Sequence, residues 1–193
     1  MLPCRLISFR LVVFGVFFAV VAGIVWVGYY RVWHDDVRRA KCRDNLRNMH
    51  LLLSVYAQQY GAFPSMQPPQ RRYLRSGGAQ DLYPLWSTGI MKNEQLAQLQ
   101  PPGLTLRRFS ANPTAEHFNS NHIGFAYNST VHPDQADNPP LLASQGVAAG
   151  VIGPHAYALV LFLNGEICEI PADADGRLNT ERIKPEEWRQ LAD

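Results

Sequence analysis

Charge is absent from Leu11 to Tyr30, proline is absent between Pro3 and Pro64, and cysteine occurs only three times in 193 residues. The first absence removes the penalty for taking an ionised group into hydrocarbon, and the second removes the residue that breaks a helical hydrogen-bond ladder. With Cys4 ahead of the apolar run, only Cys42 and Cys168 remain to meet in one compartment, which excludes a disulfide framework. Chemical signatures are missing as well. Ser54, Ser65, Ser129 and Ser144 sit in no G-x-S-x-G elbow, and no G-x-G-x-x-G or phosphate loop occurs. His117, His122, His132 and Asp134 share a loop-rich region but lack the close pairs of a zinc site, so they read as surface or core residues. The basic residues are not interleaved with an aromatic platform, which argues against a nucleic-acid module. The expectation is a non-enzymatic chain with no small-molecule substrate identified and no nucleic-acid partner.

What is present begins with a membrane-length helix. Leu11 to Tyr30 is twenty residues, which at about 1.5 Å each reaches roughly 30 Å, the thickness of bilayer hydrocarbon. Trp26, Tyr29, Tyr30 and Trp33 gather at its far end with Arg31, as amphipathic rings do at the headgroup level. Beyond it, Cys42, Leu46, Met49, Leu53, Tyr56 and Tyr60 recur at spacings of four and three, the stripe of a helix packing along one face. Gly61 suits the left-handed cap, and Pro64 cannot continue the ladder. A secretory signal peptide would share Arg5, Arg10, the apolar core and the small residues around Val20-Val21-Ala22. The apolar run continues through Ile24, Val25, Trp26 and Val27, however, so a retained anchor is the simpler reading. Four segments follow: 1–30, tail and transmembrane helix; 31–63, amphipathic continuation; 64–171, a loop-rich α/β region ending in an antiparallel hairpin; 172–193, an acidic loop and short helix.

The net charge of +2 hides an asymmetry. Residues 31–110 carry twelve Lys/Arg against five Asp/Glu, and residues 111–193 carry four against eleven. Either the halves face each other or are simply solvated, or copies meet head to tail, or Arg31, Arg38, Arg39, Lys41 and Arg43 meet anionic headgroups. The basic residues after the span outnumber Arg5 and Arg10, which by the positive-inside rule alone puts the domain in the cytoplasm. A Cys42–Cys168 bridge and a pair of buried thiols are both compatible with the spacing.

Further along, Pro64 to Gly78 reads as an exposed loop. Lys92 to Gln100 reads as a short helix capped by Asn93, and Leu104 to Phe109, Ile123 to Tyr127 and the stretch after Pro139-Pro140 as short strands. The strongest β signal is Tyr157 to Ile170, where Asn164-Gly165 predicts a two-residue type I′ hairpin. Its first arm is apolar on both faces and should lie centrally. The fold class is therefore α+β, a long helix packed on a small antiparallel sheet. Lys184 to Ala192, with Trp188 and Leu191 on one face, predicts a closing helix.

Asp173, Asp175 and Asn179 alternate around Gly176 as in part of a calcium loop. Pro171 holds the first-ligand position and Arg182 that of the bidentate glutamate, so a plain Asp-Gly turn stands ahead of a calcium site.

The run Ala40-Lys41-Cys42-Arg43-Asp44-Asn45-Leu46-Arg47, followed by Leu51-Leu52-Leu53, Tyr56-Ala57 and Tyr60-Gly61-Ala62-Phe63-Pro64, resembles type IV pilin-like proteins of the type II secretion pseudopilin class, including the planctomycete-type prepilin-like proteins. Asp81 to Trp86, Gly124 to Asn128, Pro140 to Leu142 and Ala158 to Ile167 are similar to later segments of that class. The resemblance implies a single-pass protein of the bacterial inner membrane with its carboxyl-terminal domain extracytoplasmic. Its partners would be the lipid bilayer, other pilin-like subunits or secretion machinery. No cofactor is implied beyond the calcium that some pseudopilins bind. The processing register falls at Ser8-Phe9, where serine replaces the family's glycine and Val13 replaces its glutamate. A second reading follows from that departure: an anchored extracytoplasmic binding protein that no longer polymerises.

Overall fold

The computed structural model describes residues 3–66, 77–102, 104–144 and 157–171. Two compact units divide the chain, Met1–Ala40 and Lys41–Asp193. Helix α1 (Pro3–Tyr60) contributes to both.

In the first unit the described chain is helical throughout, and every residue from Phe14 to Tyr30 is exposed, with Phe18 at 67% and Trp26 at 69%. Over that stretch a 3.6-residue repeat with apolar residues on every side leaves no polar face to present to water. Such a surface needs either lipid or another protein around it.

The second unit is α+β. Strands β1 (Phe125–Tyr127), β2 (Pro140–Ser144), β3 (Tyr157–Phe162) and β4 (Ile167–Pro171) form an antiparallel sheet in the order β1-β2-β3-β4. Alternation along β3 separates two apolar faces. Leu159 and Leu161 join the main core, which takes Cys42, Leu46, Met49 and Leu53 from α1. Ala158, Val160 and Phe162 join a second buried cluster with Ala126, Ala143 and Ile170. The apolar stripe of α1 holds as far as Leu53. Tyr56 is only partly buried, and Tyr60 is 51% exposed, stacked on Tyr56 at 4.5 Å. In β2 the register shifts between Pro140 and Leu142, so Leu141 is the extra residue of a bulge. Both Leu141 and Leu142 thereby reach the main core.

The β3–β4 turn differs from the type I′ expectation. Phe162 N–H donates to Glu166 O and Gly165 N–H to Phe162 O, and of Leu163, Asn164 and Gly165 only Gly165 has positive φ, +87°. This is the three-residue loop of a type I turn followed by a left-handed residue. Asn164 stays out of the left-handed region because its side chain is occupied, its Oδ1 accepting Glu166 N–H at 2.8 Å, while Asn138 Oδ1 holds its own N–H at 2.8 Å.

Three other expectations are corrected. Residues 104–109 form no strand; Arg107 N–H donates to Asn121 O, and Leu104 is exposed. Asn93 is not a cap but the first residue of a 3-10 helix (Asn93–Leu99), its carboxamide spent on Trp86 Nε1 at 2.6 Å and Ala111 O at 2.8 Å; Gln95 Oε1 caps Lys92 N–H at 2.8 Å instead. The start of the expected exposed loop is buried, with Phe63, Pro64 and Met66 inside. Buried Asp81 accepts Met66 N–H at 2.8 Å, and Tyr127 Oη donates to Pro64 O at 2.9 Å. Burial, with Asp81 nearby, holds that phenol well above its usual pKa, so it remains a donor.

Candidate functional site

One described helix is long and apolar enough to cross a membrane, and none of its most apolar window is buried within the chain. A core helix of a soluble protein passes the same test of length and hydropathy but would be covered. A signal sequence near an amino terminus also passes it. Ser8 and Phe9, the residues of the family's processing register, lie within α1. Gly15, Gly23 and Gly28 have open flanks, for a Cβ built on each meets no heavy atom within 4 Å.

Neither Cys42, which is buried, nor Cys168, which is half-buried, forms a disulfide. Glu169 stands opposite Leu159 and receives Arg43 of α1 at 2.9 Å, whereas Cys168 stands opposite Val160 and packs against the second cluster. Strand alternation thus turns Cys168 away from the face that meets Cys42, and no bridge forms between them. Burial pushes the Cys42 thiol up to about 11, the behaviour of an inert core hydrophobe. Asp173, Asp175 and Asn179, and the expected closing helix, lie outside the described residues.

Of the four residues singled out in the loop-rich region, His117 and His122 lie together, while His132 stays on the loop of Asp134, where its carbonyl accepts Gln135 N–H at 3.2 Å. His117 and His122 meet edge to face, ring centroids 5.5 Å apart. Thr114 N–H donates to His117 Nδ1 at 3.0 Å, which puts the neutral ring's proton on Nε2. His122 Nδ1 faces Asn119 Oδ1 at 3.1 Å, an oxygen that already accepts Asn121 N–H, so here Nδ1 carries the proton. Burial first, then His117 and Arg107, lowers the His122 pKa. Among the described residues no group of three His, Cys, Asp or Glu is placed to hold a metal ion.

Asp134 belongs elsewhere, to a cleft in the second unit of about 630 Å³ that sequence reading missed. Its walls are the end of α1 (His50, Ser54, Gln58), the 133–138 loop and the β3–β4 turn (Leu163, Asn164). His50 Nε2 lies 3.0 Å from Leu163 O and so donates to it, and a Cβ on Gly165 would stand 3.0 Å from His50 Cε1. The only trace in the sequence is the spacing of His50, Ser54 and Gln58, three polar residues at intervals of four beside an apolar stripe. Nothing local relates them to Leu163. No protein-family model matches this chain, and neither the curated proteins nor the solved structures compared with it give a match.

Proposed function

We propose that this chain is a non-enzymatic, membrane-anchored pilin-like component of a type II secretion or type IV pilus-like assembly. It sits in the bacterial inner membrane by a single pass, with its carboxyl-terminal α+β domain outside the cytoplasm. The observation that carries the proposal is the apolar window of α1 with none of its surface covered by the chain itself, joined to the pseudopilin-like run from Ala40 to Pro64. Lipid-facing helices associate through close packing where small residues let backbones approach, and the open flanks of Gly15, Gly23 and Gly28 permit that approach. The domain, whose core takes Leu46, Met49 and Leu53 from the part of α1 that lies in the second unit, then acts by contact.

The departure at Ser8 and Val13 favours a second reading, an anchored extracytoplasmic binding protein of the same descent that does not polymerise. Mass spectrometry of the mature chain separates the two. A new amino terminus at Phe9 supports the assembling component, and an intact Met1 supports the anchored binder. A terminus between Val21 and Val27 overturns both, because it identifies a cleaved signal peptide.

A further inference from the structure

We propose that the cleft beside His50 binds an extended peptide segment bearing a lysine or arginine side chain. Main-chain carbonyls of the segment accept from the carboxamides of Gln135, Asn138 and Asn164, and its cation meets Asp134. The inference stands independently of membrane anchoring.

The carboxamides set the polarity of the cleft. Gln135 Oε1 accepts His132 N–H, Asn138 Oδ1 accepts Asn164 N–H, and Asn164 Oδ1 accepts Glu166 N–H, each at 2.8 Å. Backbone N–H groups can only donate, so each oxygen is pinned and each NH₂ is left with hydrogens to give. Among the described residues, these three NH₂ groups, the Ser54 hydroxyl and the Gln58 amide have no partner. The His50 Nε2–H is not among the free donors, because it is committed to Leu163 O. The three pinned carboxamides therefore present unpaired donors, with Ser54 and Gln58 able to donate or accept, and the complement of those donors is a row of acceptors such as the carbonyls of an extended chain.

The charge of the complement follows from what surrounds the donors. Asp134 is exposed, lines the cleft and makes no ion pair among the described residues. No lysine or arginine occurs from Phe109 to Gly176, so the loop, the strands and the turn offer no internal cation. Glu169 is the one carboxylate of β4, and it already meets Arg43. An anionic ligand has no cation to greet it there. A sugar lacks a stacking platform among the described lining residues, because Phe63 is buried and the His50 ring is held against the β3–β4 turn by its bond to Leu163 O. A metal ion lacks its set of ligands among the described residues. The volume falls within the few hundred to about 1,000 Å³ typical of specific ligand pockets.

The test uses the full-length chain in a neutral detergent and saturation-transfer NMR of three pools of blocked pentapeptides. All have mixed Gly, Ala, Ser and Leu at the outer positions, with Lys, Gln or Glu at the centre. The Lys pool is expected to receive transfer about fivefold stronger than the Gln pool, the size of one exposed ion pair, and the Glu pool the least. Asp134→Asn should bring the Lys pool down to the Gln pool, and Ala136→Trp, at an exposed position in the lining, should abolish transfer to both. Unchanged melting of the two variants confirms that they fold. Equal transfer to all three pools, or Lys transfer that survives both substitutions in folded protein, overturns the proposal.

Discussion

Gly165→Ala tests the turn that joins the sheet to the helix. Gly165 has φ +87°, a region in which an L residue is disfavoured by about 1–2 kcal/mol. The added Cβ also meets the His50 ring, 3.0 Å from Cε1 and 3.3 Å from Nδ1, so the ring must move. That movement puts at risk the His50–Leu163 O bond, worth about 0.5–1.5 kcal/mol net. The two effects together predict a loss of roughly 2–3 kcal/mol. Urea unfolding of the detergent-solubilised chain, followed by tyrosine and tryptophan fluorescence, should show a lower midpoint with an unchanged slope. His50→Ala removes the ring that the new methyl meets, so the double variant should be more stable than the sum of the single losses by about 0.5–1.5 kcal/mol. A Gly165→Ala protein within about 0.5 kcal/mol of the parent, the usual range of a surface substitution, would refute both the left-handed turn and the His50 contact.

Leu46→Ala, at a fully buried position of α1 against the sheet, should lose about 2–5 kcal/mol in the same unfolding assay. Iodoacetamide at mildly alkaline pH should label half-buried Cys168 and leave Cys42 unmodified until the chain unfolds, in a Cys4→Ser background read by peptide mass. The His122 pKa is lowered in the folded state from 6.5. Its stability contribution is therefore whole above about pH 6.5 and lost as pH falls through the folded value, and His122→Gln should flatten that acid limb of the stability profile.

The parts of the fold that were legible rest on local repeats. The stripe from Cys42 to Leu53 needs only the 3.6-residue period, and the apolar arm Tyr157–Phe162 announces a central strand by having no polar face. The position of the following turn is equally local, but its type is not. Asn164 bonds Glu166 N–H through its side chain, and Asn138, 26 residues earlier, accepts the Asn164 N–H. The burial of Pro64 depends on Tyr127, 63 residues on, and the side on which Cys168 lies depends on strand register against Val160. The cleft needs His50 beside Leu163, 113 residues apart. Composition and spacing carry no information about such pairs, which is why His117, His122 and Asp134 appeared as one group although Asp134 lines a cleft that the two histidines do not.

Alkaline carbonate extraction of membranes from cells making the full-length chain tests the retained anchor most directly. A span with an uncharged run from Leu11 to Tyr30 should remain in the membrane pellet with its Met1 or Phe9 terminus and come into solution only with detergent. Recovery of the chain as a detergent-free monomer in the carbonate supernatant would contradict it.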